Sequence, residues 1–148
     1  MLQFYKTVKT TFGLESYIKL ISDRKIQTSI SKFRLSSHCL RIHKGRHERD
    51  KNGINTPANR RFCLSCKSGE IDNELHLLDN CHTHNEERET LKNRISPQFI
   101  HNISSLSSIE ILRLIFSSVD RKVLFELGRF LKTSFNKRKL EYQNSVNV

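Results

Sequence analysis

The stretch CLSCKSGEIDNELHLLDNC, Cys63 to Cys81, places three of the chain's four cysteines and one histidine within nineteen positions. No other feature restricts the fold as strongly. The spacing is Cys63-x2-Cys66-x9-His76-x4-Cys81. A C-x2-C pair on a tight turn lets two thiolates grip one ion from one side, and Lys67, Ser68 and Gly69 supply turn residues directly after it. The intervening residues leave room for a chain reversal that returns His76 on a short helix, with Cys81 just beyond the end of that helix. Three sulfurs and an imidazole complete a tetrahedral structural zinc set, and soft ligands in a closed shell favour Zn2+ over harder ions.

Other uses of cysteine fit less well. Free cysteine is often a small buried hydrophobe, but Leu64 and the Leu75–Leu78 run already supply apolar positions here. A redox C-x-x-C pair requires a strand leading into a helix, and these surroundings have no such pattern. A disulfide framework requires an oxidising compartment. The fourth ligand has two candidates. His76 with His82 also fits a C2H2 set, while Cys81 is preferred because His82 and His84 flank a helix cap at Thr83 and are expected to face solvent. Cys39 lies outside the cluster and reads as a core thiol.

Metal would also answer a shortage of core. Only 36% of the 148 residues are apolar, below the roughly 45–50% usual for a soluble domain. The N-terminal segment is interrupted by Lys6, Lys9, Glu15 and Lys19, so it lacks the apolar region of a signal peptide. No run approaches the roughly 18 apolar residues of a membrane span. The expectation is an intracellular protein, nuclear or cytoplasmic and not secreted, with no membrane partner and no small-molecule substrate.

Three zones follow along the chain. Residues 1–36 read as helical, with Phe4, Val8, Phe12, Leu14, Tyr17, Ile18 and Ile21 near helical spacing. Ser22-Asp23 then starts a second helix carrying Ile26, Ile30, Phe33 and Leu35. Residues 37–94 hold a short extended segment up to Gly45, a polar loop, the cysteine cluster, a helix from Ile71 to Leu78 with Ile71, Leu75 and Leu78 on one face, and a helix from about Thr83 to Arg94 opened by a Thr83/Glu86 capping box. Residues 95–148 form a helical segment. Ser107/Glu110 caps one helix, and Ser117-x-x-Asp120 opens a last one with Val123, Leu127, Phe130, Leu131 and Phe135 on its apolar face. Arg121, Lys122, Arg129 and Lys132 form the opposite, cationic face, and the tail after Asn136 reads as frayed. The fold class is mainly α: a small helical domain with a CCHC zinc-stabilised turn-helix module and a basic loop.

Charge divides the chain. Lys and Arg number 26 against 15 acids, a net charge of +11, which favours polyanionic partners. Residues 34–61 carry eight Lys/Arg and two acids, whereas 62–90 carry seven acids and two Lys/Arg. The phosphate contacts of RNA or DNA are therefore assigned to the arm, through Arg34, Arg41, Lys44, Arg46, Arg49, Arg60 and Arg61, with the cationic face of the last helix. Phe33 and Phe62 flank the arm and read as core residues.

These residues carry a resemblance. ISKFRLSSHCLRIHKGRH, then RRFCLSCKSGEIDNELHLLDNC and EERETL, resemble the C-terminal zinc-binding region of LINE-type (non-LTR) retrotransposon reverse transcriptases. Lys32 to His38, Leu40, Ile42, Gly45-Arg46-His47, Arg61, Cys63, Cys66, Ile71-Asp72, Glu74, His76 and Cys81 fall on that family's pattern, and Arg88 and Leu91 continue it. The match spans residues 30–95. His43-Lys44 and Cys81-His82 depart from it, the latter standing where a Cys-Pro corner is usual. A polymerase palm holds its metal ions on paired aspartates, and no Asp-Asp occurs in this chain. The resemblance implies a non-catalytic nucleic-acid-binding region derived from a retroelement, with the polymerase domain of a reverse transcriptase as a further partner. The alternative is a protein–protein interaction module that presents Glu70, Asp72, Glu74 and Asp79 to a basic surface.

Overall fold

The computed structural model describes residues 5, 6, 9, 13–49, 51–98 and 106–146. Its helices are α1 (Ser16–Leu20), α2 (Arg24–Arg34), α3 (Arg41–Lys44), α4 (Glu74–Asp79), α5 (Asn85–Ile95), α6 (Ser108–Ser117) and α7 (Arg121–Val146). Short 3-10 turns lie at Ala58–Arg60, His82–His84 and Ser96–Gln98. Among the described residues there is no strand, and two isolated bridges, Arg49 to Asn55 and Phe62 to Ile71, are the β pairing. The mainly helical fold class expected from the sequence is observed.

The architecture is built around α7. Its apolar face buries Val123, Leu124, Leu127, Phe130, Leu131 and Phe135, and α2 and α5 pack along it. From α2 come Ile26, Ile30 and Phe33; from α5, Leu91 and Ile95; from α6, Leu112, Ile115 and Phe116. Leu40 and Leu77 join the same core, so all three zones of the sequence contribute to it. The α2–α7 approach is close because residue 128 is glycine: a Cβ there would lie 2.3 Å from Ile26 Cγ2.

Two helix starts follow the sequence closely. The Asp23 side chain accepts from the backbone N–H of Lys25 and Ile26, opening α2. Ser107 and Glu110 form a reciprocal capping box at α6. These signals are local, a side-chain oxygen satisfying an otherwise orphaned backbone donor, and need no tertiary information.

Other expectations are corrected. The helix read from Ser117/Asp120 opens later: α6 runs through Ser117, and Asp120 accepts from the N–H of Lys122 and Val123 to start α7. The segment before Gly45 is not extended. It turns into α3 because Asp72 takes the Arg41 N–H on its carboxylate (2.8 Å) and the Ile42 N–H on its carbonyl (2.9 Å). In the first stripe Tyr17 and Ile21 are buried, while Leu14 and Ile18 are exposed because α1 is too short to present a continuous face. Leu35, past the end of α2, is exposed as well. Phe4, Val8 and Phe12 lie outside the described residues. The tail does not fray at Asn136; α7 continues to Val146, held by polar contacts from Arg138 onward.

Candidate metal centre and nucleic-acid interface

Local backbone chemistry builds the cysteine turn. Phe62 pairs with Ile71; the Cys63 N–H donates to Glu70 O (2.8 Å) and the Asp72 N–H to Arg61 O (2.9 Å). Between them the chain must reverse, and it does so through left-handed Lys67 (φ 53) and Gly69 (φ 79). Glycine occupies that region at little steric cost. The Cys66 N–H points back at Cys63 Sγ at 3.4 Å, as suits a thiolate on a tight turn. Alternation along the bridge turns Cys63 inward, so its neighbour Phe62 is 42% exposed rather than in the core.

His76 arrives on α4. The helix starts later than the hydrophobic pattern suggests, because the Asn73 side chain accepts the His76 N–H at 2.8 Å and caps it. This phase buries Glu74, His76 and Leu77 and leaves Leu75 exposed; Ile71 stays outside the helix in its bridge with Phe62. Cys81 follows at the turn after α4, its N–H on His76 O at 2.8 Å.

The ligand atoms of Cys63, Cys66, His76 and Cys81 all lie within 4.8 Å of one another, and all four residues are buried. The Sγ atoms of Cys63 and Cys81 are 3.9 Å apart, too far for a disulfide. His82 is exposed and outside the group. The four side chains can hold a metal ion: three soft donors and one imidazole converge from a turn, a helix and the end of that helix.

The surroundings of the four fit that use. Glu70 Oε2 sits 2.7 Å from His76 Nδ1, which leaves Nε2 facing the sulfurs, 3.3 Å from Cys66 Sγ. An outer carboxylate on the far nitrogen of a ligating histidine is the usual way such a ring is oriented. Arg138, 5% exposed on α7, donates from Nη1 to Cys63 Sγ (2.7 Å) and from Nη2 to Cys81 Sγ (3.1 Å). Its guanidinium also pairs with Asp72 at 3.2 Å. The Thr83 hydroxyl lies 3.0 Å from Cys81 Sγ. Three thiolates would carry more charge than a divalent ion neutralises, and a buried guanidinium supplies the balance.

The electrostatics of the four side chains couple them to one another. The hydrogen bond with Cys81 holds the Cys63 thiol well below its ordinary value despite burial, with His76, the Cys66 N–H and Arg138 adding to the effect. His76 is raised to about 9, first by Cys63, against its burial, with Glu70 and Cys66 contributing. An imidazolium–thiolate pair is favoured where opposite charges compensate one another in a buried cluster.

Thr83 and His84 depart from expectation. The Thr83 side chain serves Cys81 and its carbonyl accepts from Lys137 Nζ, so the Thr83/Glu86 box does not form and α5 begins at Asn85 after a 3-10 turn. His84 does not face solvent: it is fully buried, and neither ring nitrogen has a hydrogen-bond partner. Burial, aided by the Arg138 charge and opposed by Glu87, lowers its pKa to about 4.

The seven arm residues divide into two groups. Arg34 is 2% exposed, paired with Glu15 and seated 4.4 Å over the Phe116 ring. Arg41 bonds Glu48 (2.7 Å) and Phe62 O. Arg61 reaches Ile42 O (2.7 Å) and Thr56 O, tying the two ends of the arm together. Arg41 and Arg61 hold the loop in shape, and Arg34 ties the end of α2 to Glu15 and Phe116. Arg49 and Arg60 are exposed, Arg46 and Lys44 are half-buried, and none of these four has a carboxylate partner among the described residues. Cys39 is half-buried against the core, its Sγ 3.6 Å from Phe135 O.

Sequence reading missed Arg138 and Tyr142. Tyr142 bonds Glu48 and lies beneath Lys44 Nζ at 4.1 Å; Ser65 bonds Glu141. The signal was present: Leu131, Phe135, Arg138 and Tyr142 continue one helical face at four-, three- and four-residue steps. That face simply stops being apolar where it meets the metal module.

No protein-family model, no curated protein and no solved structure matches this chain. No helix among the described residues is long and apolar enough to cross a membrane.

Proposed function

We propose that this chain is a non-catalytic, zinc-stabilised nucleic-acid-binding domain. Cys63, Cys66, His76 and Cys81 would hold the zinc, and the observation that carries this is the buried convergence of their four ligand atoms within 4.8 Å. Three thiolates with an imidazole suit zinc, and four protein ligands leave no open position for a reacting water. A bound zinc acts as a cross-link, and this chain's own residues do the rest: Glu70 orients His76, Arg138 balances the sulfurs, and Thr83 supports Cys81.

Nucleic acid is the partner that the charge supports. The net charge is +11, and Lys44, Arg46, Arg49 and Arg60 stand on the arm without carboxylate partners among the described residues. The resemblance of residues 30–95 to the tail of a LINE-type reverse transcriptase supports an origin as a retroelement fragment that held template RNA or target DNA near a polymerase. The interaction-module reading has less support, because Asp72 and Glu74, half of its acidic face, are buried and engaged by Arg138 and by His38 and Ser36, while Glu70 and Asp79 remain exposed.

The test is zinc stoichiometry by native mass spectrometry on wild type and Cys81→Ser, followed by binding to RNA and DNA across a salt series. One zinc per wild-type chain, lost or weakened in the variant, and an affinity that falls steeply with salt are expected. Reduced protein free of metal at saturating zinc sinks the metal reading. Zinc-loaded protein with no polynucleotide affinity at low salt sinks the nucleic-acid reading.

A further inference from the structure

Between α2, the α3 turn and α7 lies an open cleft of about 220 Å³. Lys32 enters it from α2, Lys44 from α3, and Lys132 and Lys139 from α7, with Ser37 and Asn136 among the polar groups on its wall. No carboxylate lines it. None of the four lysines forms an ion pair among the described residues. Asp23 feels Lys132 and Glu48 feels Lys44, but both acids are already engaged, Asp23 by the backbone N–H groups of α2 and Glu48 by Arg41 and Tyr142. On the floor, His38 has both ring nitrogens committed, one to Glu74 and one to the Leu40 N–H, and Phe135 is buried.

Four lysines line one concave space that no carboxylate shares, and a wall of like charge favours entry of an anion. The ammonium, hydroxyl and amide donors there suit an acceptor with several oxygens and more than one charge, which is the chemistry of phosphate. The cleft is open, so a polymer can pass through it. Lys44 belongs both to the cleft and to the arm, two residues from Arg46.

We propose that this cleft binds the backbone phosphates of a nucleic-acid strand that runs on from the arm. The proposal rests on the nucleic-acid reading above and adds to it a site of which Lys32 and Lys139 form part, two residues outside the phosphate contacts assigned from the sequence.

The experiment is fluorescence anisotropy with labelled single-stranded RNA and duplex DNA of mixed sequence, using the full chain saturated with zinc. Wild type is compared with a cleft variant (Lys32→Ala, Lys132→Ala, Lys139→Ala), its Lys→Arg counterpart, and an arm variant (Arg46→Ala, Arg49→Ala, Arg60→Ala). Thermal melts establish that each variant is folded. The cleft variant should lose about tenfold or more in affinity near physiological salt, and its log–log salt slope on single strands should shrink by about 2, while the Lys→Arg counterpart retains binding. Wild-type affinity and slope in the cleft variant, with weakened binding in the arm variant, would overturn the cleft and leave the nucleic-acid reading standing. Absence of RNA and DNA binding by wild type overturns both. Saturation of the lysine resonances by inorganic tripolyphosphate, without polynucleotide binding, would assign the cleft to free polyphosphate and likewise overturn the proposal.

Discussion

Arg138 joins two cysteine sulfurs to Asp72, and Asp72 in turn holds the backbone of Arg41. One side chain thus links the last helix, the metal module and the root of the arm. Arg138→Leu should lower metal affinity 10–100-fold, the usual cost of losing an outer-sphere partner, as read by competition with a chromogenic chelator. Unchanged affinity with only a lower melting temperature would reduce Arg138 to a packing role. His84 gives a separate test. Its folded pKa of about 4 lies below the unfolded value of 6.5, so the unfolded chain binds the extra proton between them. The stability from keeping it neutral is complete above pH 6.5 and is lost as pH falls toward 4, a change of roughly 3 kcal/mol. His84→Leu abolishes this component. Urea melts of both proteins at saturating zinc should therefore show the wild type losing stability relative to the variant across that window. Parallel pH curves would contradict the assignment. Neither residue stood out in the sequence. A histidine beside a cap reads as exposed, and an arginine beyond the last apolar residue reads as tail, because burial depends on what packs against them from distant parts of the chain.

The helices record how far local signals reach. Asp23 and the Ser107/Glu110 box placed α2 and α6 correctly because a cap is satisfied within one turn. Thr83 carried an equally good local signal and was diverted, its hydroxyl going to Cys81 and its carbonyl to Lys137. The metal module competes with helix capping for the same short polar side chain, and the module's demand prevails. At the α2–α7 crossing the decisive residue is Gly128. Alanine there gains about 1 kcal/mol of helix propensity, but its Cβ would lie 2.3 Å from Ile26 Cγ2. Overpacking of that kind costs roughly 1–3 kcal/mol. Gly128→Ala should therefore be destabilising in urea melts, and Ile26→Ala, which removes the clashing Cγ2, should cost less in the Gly128→Ala chain than in the wild type. A stabilised single variant would show that the two helices part freely.

Taken together, the molecule has two stabilising units: an apolar core around α7, and a polar, cysteine-rich module whose apolar cluster is the three cysteines themselves. The second unit has a small apolar cluster and a polar network around Arg138, so a bound ion would add much of its stability. Binding in small zinc peptides is worth on the order of 10–16 kcal/mol at neutral pH, against about 5–15 kcal/mol for a whole domain. Chelation should loosen the cysteine turn and the arm and shorten α7 beyond Phe135, seen as lost helical circular dichroism and as rapid amide exchange in the arm. Full retention of structure in metal-free protein would show that the packing around Arg138 suffices by itself.

The sequence alone determined the helical class, the caps at Asp23 and Ser107, and the four side chains that come together as a group able to hold a metal ion. Each is encoded by close spacing: a cap within three residues, a cysteine pair on one turn, an apolar stripe along one helix. Tertiary structure decided which charges are free. Arg34, Arg41 and Arg61 look the same in the sequence as Arg46, Arg49 and Arg60, yet the first three are held by Glu15, Glu48 and the carbonyls of Ile42 and Thr56. It also gathered Lys32, Lys44, Lys132 and Lys139, from positions a hundred residues apart in the chain, into one cleft. The physical reason is that a charge's role is set by its neighbours in space, through pairing and burial, and linear spacing does not carry that information beyond a turn or two of helix.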